Sequence, residues 1–187
     1  MKILSGTLKG RNFFMPNEIR PTPDKVRKAV FDILGHDLSG LTFLELFAGS
    51  GSVGFEAISN GVKQAVLVEG SIRCCAIISD NITALKIKTY DEKGFFCQVM
   101  NADCFAAIEQ LQAQKKLFDI VFADPPYNVE LAKKTLKTLS ACDILQRNCF
   151  VIIQHDKKES LPESEGRFLI IKQKKYGTSC LSVYQGQ

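Results

Sequence analysis

The residue types and order of Asp124-Pro125-Pro126-Tyr127 suit chemistry on an amino group. They close the apolar run Phe118-Asp119-Ile120-Val121-Phe122-Ala123, which reads as a buried strand. Two consecutive prolines lack N–H donors and restrict φ, so the Pro125 carbonyl is held in a defined direction. With the Asp124 carboxylate it offers two acceptors, and Tyr127 adds an aromatic face. The exocyclic amine of a nucleobase is a poor nucleophile, because its lone pair is delocalised into the ring. Two acceptors that grip both N–H groups turn the nitrogen toward tetrahedral geometry, aim its lone pair and stabilise the charge that develops on methylation. Tyr127 would stack on the base, a contact worth about 1–3 kcal/mol. The base must leave its helix or already lie in a loop. This chemistry does not choose the base, since N6 of adenine and N4 of cytosine both fit it.

The second chemical segment is Phe43-Leu44-Glu45-Leu46-Phe47-Ala48-Gly49-Ser50-Gly51-Ser52-Val53-Gly54, a buried strand that runs through a glycine-rich turn into a helix. The G-x-G-x-x-G pattern thus stands in the context that a nucleotide-binding turn requires. Glu69 follows Gly49 by twenty residues, at the end of the strand Ala65-Val66-Leu67-Val68, where a carboxylate can accept both hydroxyls of an adenosine ribose. Two ligands fit. A dinucleotide would set its pyrophosphate on the helix N-terminus and make the chain a nicotinamide-dependent oxidoreductase, whereas S-adenosylmethionine needs an acceptor for its ammonium group. Glu45 is placed for that ammonium, and a carboxylate in so apolar a strand asks for a partner. Asp103 can hold the adenine amine or cap the following helix.

These segments need a scaffold. From Leu41 onward, short Val-, Ile- and Phe-rich runs alternate with helical periods, the pattern of repeated βαβ units around a mainly parallel sheet. Seven strands are expected, at 41–47, 65–69, 95–101, 118–123, 148–154, 167–174 and 179–184, with helices at 52–60, 71–85, 103–114 and 129–140. The last two strands are joined across Tyr176-Gly177-Thr178, which is too short for a parallel crossover and predicts an antiparallel hairpin. Residues 2–15 read as two short strands around Lys9-Gly10. Thr22-Pro23-Asp24 then announces a helix, capped by Thr22, whose apolar face is Val26, Ala29, Val30, Ile33 and Leu34. The fold class is α/β, Rossmann-like, and residues 1–187 read as a single domain with 1–35 as an N-terminal appendage.

Composition agrees with a cytoplasmic globular protein. The chain is 45% apolar and 24% charged, and its seven cysteines form no C-x-x-C pair. With only His36 and His155 beside them, no metal site is expected. The net charge of +4 is uneven, because residues 1–28 carry +5 and the remainder −1. Lys9, Arg11, Arg20, Lys25, Arg27 and Lys28 therefore form a candidate surface for a polyanion, which counterion release would favour.

The glycine loop with Asp124-Pro125-Pro126-Tyr127 resembles the class I SAM-dependent amino-methyltransferases. More narrowly, Gly6, Lys9-Gly10-Arg11, Arg20-Pro21-Thr22, Val26-Arg27, Phe47-Ala48-Gly49-Ser50-Gly51 and Tyr176-Gly177-Thr178 resemble the RsmD family of bacterial ribosomal RNA methyltransferases over nearly the whole chain. The resemblance implies methyl transfer from S-adenosylmethionine to N2 of one guanine in small-subunit (16S) ribosomal RNA, in an assembled or assembling subunit; separately, a monomer is expected. It implies catalytic roles for Asp124, Pro125, Pro126 and Tyr127. The expected cofactor contacts are Glu45, Phe47, Ala48, Gly49, Ser50, Gly51, Glu69, Gly70, Asp103 and Cys104. Departures from the family pattern include Glu45 for Asp and Gln154-His155 for Glu-His, and His155 is read as structural.

Overall fold

The computed structural model describes residues 1–16, 19, 22–91, 94–127 and 130–187. In chain order the elements are α1 (Asp24–Leu34), β1 (Thr42–Leu46), α2 (Ser52–Ser59), β2 (Gln64–Glu69), α3 (Ile72–Ala84), β3 (Tyr90–Asp91), β4 (Gly94–Phe95), β5 (Cys97–Asn101), α4 (Cys104–Ala113), β6 (Phe118–Ala123), α5 (Leu131–Ala141), β7 (Leu145–Asp156), β8 (Ser164–Glu165), β9 (Phe168–Tyr176) and β10 (Ser179–Gly186). Among the described residues no helix is long and apolar enough to cross a membrane.

The main sheet has the order β5-β2-β1-β6-β7-β10-β9-β8. Strands β5, β2, β1, β6 and β7 are parallel, and β10, β9 and β8 add antiparallel. The fold is the expected Rossmann-like one. It has eight strands rather than seven, because the chain doubles back through the two-residue strand β8 to pair with β9. The expected strand 95–101 divides into β5 and a separate small ladder, β3 with β4.

The central strands are near-continuous apolar runs because both faces are buried, and their two-residue period sends successive side chains into opposite layers. Phe43, Ala65, Leu67, Ile120 and Phe122 pack on one side, with α1, α2 and α3, while Leu44, Val66, Val68, Val121 and Ala123 pack on the other, with α4 and α5. Chain direction across the sheet reverses between β1 and β6. The chain first proceeds outward from β1 to β2 and β5, then returns through α4 to β6 on the far side of β1. Ligands bind at such switch points, outside the carboxyl ends of the strands. Here the glycine loop leaves β1 and the Asp124 segment leaves β6.

The N-terminal arm differs from expectation. Lys2 and Asn12 make an isolated antiparallel bridge instead of two strands. Between them the backbone turns toward α2, so that Leu4 N and Ser5 N donate to Glu56 and Leu8 N donates to Ser59 Oγ. Amides that serve α2 cannot serve a ladder. Ile3, Phe13, Val26, Val30 and Phe31 are buried with the sheet residues named above. Helix α1 begins at Asp24 and Pro23 precedes it without a side-chain cap. Thr22 is used elsewhere.

Candidate active site

Residues from five neighbouring strands line one cavity of about 480 Å³: Glu69 at the end of β2, Phe47, Ala48, Gly49 and Ser50 after β1, Asp124 to Tyr127 after β6, Gln154 on β7, and Ser179 at the start of β10. Ile19, Thr22 and Pro23 of the arm complete the wall, with Ser52. Adjacent strands lie about 4.8 Å apart, so the cavity runs across the sheet rather than into it.

The loop half is shaped by backbone. Phe47, Gly49 and Gly51 all adopt positive φ, at 58°, 55° and 72°. For Phe47 this is a strained conformation that surrounding contacts must hold. Its N–H points at Cys104 Sγ, 3.2 Å away, and its ring meets Phe105 edge to face. Cys104 is thus a prop behind the loop, and burial pushes its thiol up to about 12. Glu69 binds Gly49 N through one oxygen (2.7 Å) and Ser71 N through the other (2.8 Å). An ionised carboxylate has about four acceptor sites, so two remain for a ligand such as a ribose.

Glu45 lies beneath the loop. It is 2% exposed, does not line the cavity, and accepts from Gly54 N at 2.9 Å at the start of α2. In this structure its described partner is the backbone of the loop-to-helix junction. Burial, with smaller contributions from the negative charges of Asp124 and Glu69, raises its pKa to about 8. This carboxyl explains the third glycine of the motif, because a Cβ on Gly54 would meet Glu45 Oε2 at 2.6 Å and Leu67 Cδ2 at 2.8 Å. Gly51, Gly70, Asp103 and Cys104 also lie off the cavity wall. Asp103 caps α4, accepting from Phe105 N and Ala106 N.

In the other half, Asp124 stands beside the loop, where its N–H points at Leu46 O. Its Oδ2 accepts from Thr22 Oγ1 at 3.2 Å, so the arm touches the residue best suited to grip an amine. Tyr127 is fixed by its hydroxyl, which lies 2.8 Å from Ser179 Oγ and accepts from Gln154 Nε2 at 3.0 Å. Sequence reading did not anticipate Thr22, Gln154 or Ser179. The last two come from strands whose polar residues, in a row of apolar ones, were the available signal. His155, by contrast, faces away from this chemistry, with its ring nitrogens on Asp156 O and Ser182 Oγ.

The cavity's charge discriminates between the two ligand classes. Its described lining carries two carboxylates, Glu69 and Asp124, and no Lys, Arg or His. A pyrophosphate would meet net negative charge there, whereas a cationic ligand is attracted.

The basic residues separate into two kinds. Arg27 is not on the surface: it is fully buried, paired with Glu56 (2.8 Å) and Asp24 (2.7 Å), and bonded to Lys2 O. The RNA-binding expectation for it is therefore corrected. Helix spacing puts Arg27 on the stripe of Val30 and Phe31, both buried. Arg11 places its guanidinium on Leu85 O and Ala84 O at the C-terminus of α3. Lys9, Lys25 and Lys28 are exposed and surround an open hollow of about 760 Å³. Arg20 lies outside the described residues.

The family described as "Conserved hypothetical protein 95" matches residues 1–185. The chain belongs to this family, that of ribosomal RNA small subunit methyltransferase D. The RsmD relative of Haemophilus influenzae is 29% identical over 187 residues, covering 99% of this chain and 93% of that protein. The RsmD relative of Buchnera aphidicola (from Acyrthosiphon pisum) is 31% identical over 161 residues, 85% of this chain and 80% of that protein. The solved structure of Escherichia coli yhhF superposes with a TM-score of 0.83 at 26% identity, covering 100% of this chain and 98% of that one. The fold of this RsmD member is thus that of solved relatives along its full described length.

Proposed function

We propose that this chain transfers a methyl group from S-adenosylmethionine to the exocyclic N2 amine of one guanine in small-subunit (16S) ribosomal RNA. The observation that carries the reading is the juxtaposition, in one negatively charged cavity, of the glycine loop with Asp124 and Tyr127. The family membership supplies the RNA class and the base. One chain lines both halves of the cavity, which suits action as a monomer; a ribosomal RNA substrate sets the reaction in the cytoplasm, on an assembled or assembling subunit.

S-adenosylmethionine fits the loop half. Glu69 keeps acceptor sites for its ribose, the backbone of Phe47 to Ser50 offers close approach, and the carboxylates suit its sulfonium charge. Bound there, it supplies an electrophilic methyl group. Asp124 and the Pro125 carbonyl take the two N–H groups of the target amine, which directs the nitrogen lone pair toward the loop and stabilises the developing positive charge. Tyr127, held by Gln154 and Ser179, stacks on the base. After transfer the nitrogen is acidic and loses a proton to Asp124 or to water. Lys9, Lys25 and Lys28 hold the flanking phosphates.

The test is Asp124→Ala, assayed separately for cofactor binding and for transfer to small subunits from cells lacking the protein, with the product mapped by mass spectrometry. Binding is expected to change by less than about threefold and transfer to fall by at least about 10²-fold, the scale of one lost charge-stabilising group. Unchanged transfer removes Asp124 from the mechanism, and a methyl group mapped to another base overturns the guanine assignment.

A further inference from the structure

Beside Tyr127 the cavity wall holds a polar side chain that the mechanism above uses at one end only. Gln154 is 3% exposed and lines the cavity. Its Nε2 donates to the Tyr127 hydroxyl at 3.0 Å, yet its Oε1 is buried with no hydrogen-bond partner among the described residues. Buried acceptors are nearly always satisfied, and one left open in a ligand cavity marks the place of a donor that arrives with the ligand. With Nε2 on the Tyr127 hydroxyl, and that hydroxyl able to give its own proton to Ser179 Oγ, the unpartnered end of the amide is Oε1, so what the site offers is an acceptor.

Strand order decides which ligand brings the donor. Glu69 and the loop lie on the β2 and β1 side of Asp124, whereas Gln154 belongs to β7, on the opposite side. It therefore borders the half that receives the base. The three nucleobases with exocyclic amines differ at the ring atom adjoining the amine. In adenine and cytosine the adjoining ring nitrogen that shares the pairing edge is an unprotonated acceptor. In guanine it is N1–H, a donor.

Resting on the guanine reading above, we propose that Gln154 Oε1 accepts the N1–H of the target base while Asp124 and Pro125 hold the adjacent amine, and that Gln154 is the residue through which the site selects guanine over adenine and cytosine. An adenine or cytosine in the same pose sets two acceptors against each other. Sites built to hydrogen-bond a substrate group reject analogues that lack it far more strongly than apolar pockets reject a missing methyl group. Tyr127 has a second use in this arrangement: with its proton given to Ser179 Oγ, its hydroxyl accepts from Nε2 and leaves Oε1 to the base.

The probe is 2-aminopurine, which retains the 2-amino group but has an unprotonated N1. The target guanine is first mapped with the wild-type chain, and small subunits are then reconstituted on RNA ligated to carry either guanine or 2-aminopurine at that position. Wild type is expected to prefer guanine in kcat/KM by at least about 10²-fold. Gln154→Leu is expected to shrink that ratio by at least about tenfold, chiefly through slower transfer to guanine, with cofactor binding kept. Gln154→Glu retains an acceptor and is expected to keep the ratio within about threefold of wild type. Tyr127→Phe removes the contact that orients the amide, and is expected to slow transfer to guanine and to shrink the ratio as well.

A Gln154→Leu ratio within about threefold of wild type overturns the proposal and leaves guanine methylation standing. So does a wild-type chain that methylates both substrates equally, a result that needs no variant to fold. If the wild-type chain places its methyl group on adenine or cytosine, or on no base of the subunit, the guanine reading fails and the Gln154 assignment fails with it.

Discussion

Thr22 Oγ1 and Asp124 Oδ2, 102 positions apart in the chain, lie 3.2 Å from each other at the edge of the cavity. The contact ties the N-terminal arm to the end of β6. A donor on one oxygen of Asp124 orients the carboxylate, and an oriented acceptor needs no rearrangement as charge develops on the amine. Thr22→Val keeps the shape and removes the donor. It is expected to lower kcat by roughly tenfold, about 1.4 kcal/mol at the barrier, while cofactor affinity changes by less than about twofold. Single-turnover transfer alongside calorimetric binding of S-adenosylmethionine checks both parts. A large loss of cofactor affinity with no change in kcat would place Thr22 in binding instead.

Arg27 and Glu56 form the ion pair that locks the arm to α2. Both side chains are buried, and Glu56 also receives Leu4 N and Ser5 N. Burial pushes the Glu56 pKa up while Arg27 and these donors pull against it. Removing one member of a buried pair leaves the other charge uncompensated, at a cost of about 3–5 kcal/mol. Arg27→Ala is expected to lose stability on that scale in urea melts. Arg27→Met with Glu56→Gln in the same chain is expected to recover a large part of it. If Arg27→Ala melts like wild type but binds RNA poorly, the buried pair is not what the arginine is for.

The sheet was legible because strands buried on both faces read as near-continuous apolar runs, and Phe43 to Leu46 or Ile120 to Ala123 can hardly be read otherwise. The loop and Asp124 were legible because glycine and proline restrict backbone in ways their positions reveal. Arg27 and Glu45 were not. A charge reads as solvent-facing or ligand-facing when its partner is brought to it only by packing, and Glu56, 29 positions from Arg27, and Gly54 N, nine from Glu45, become partners only once α2 packs. Glu56 within Val53-Gly54-Phe55-Glu56-Ala57-Ile58 was the missed sign, since a carboxylate in so apolar a helix implies a buried cation. Gln154 and Ser179 were missed because their role depends on β7 and β10 sitting next to β6, and strand order is not written in local pattern.

Gly54 tests the fit of α2 on the strands beneath it. Alanine there would set its Cβ 2.6 Å from Glu45 Oε2 and 2.8 Å from Leu67 Cδ2, so helix, carboxylate or leucine must move. Overpacking of this kind costs about 1–3 kcal/mol. Gly54→Ala is expected to lower the unfolding free energy by that amount and to weaken S-adenosylmethionine binding severalfold, since the same shift moves the loop. Glu45→Asp, combined with it, shortens the opposing side chain and is expected to restore part of both losses. Isothermal titration and urea denaturation on the two variants decide the matter.

Glu45 itself gives a pH signature. Its carboxyl keeps a proton up to about pH 8 in the folded chain, against an ordinary value of 4.5. Between those values the native state binds more protons than the unfolded one, so stability is full below about pH 4.5 and is lost as pH rises through about 8. One such group limits the slope to about 1.4 kcal/mol per pH unit. Glu45→Gln has no proton to lose, and its stability relative to wild type is expected to improve from pH 5 toward about pH 8 and level off above. A difference between the two that is flat across this range would show that the buried carboxyl is ionised throughout.

Lys9, Lys25 and Lys28 are expected to act on RNA and on nothing else. They are exposed around the open hollow, away from the cofactor half of the cavity, and none of them lines it. Removing one lysine–phosphate interaction should reduce the slope of log K against log salt by about 0.7–0.9. Changing all three lysines to glutamine therefore predicts a slope shallower by about 2–3, weaker binding to small subunits at low salt, and S-adenosylmethionine affinity within about twofold of wild type. Arg11→Gln gives the contrast. Its guanidinium serves the carbonyls of Leu85 and Ala84, so its loss should lower the melting temperature with less effect on the salt slope than any single lysine. If the triple lysine variant keeps the wild-type slope, the RNA path crosses a different face of the molecule.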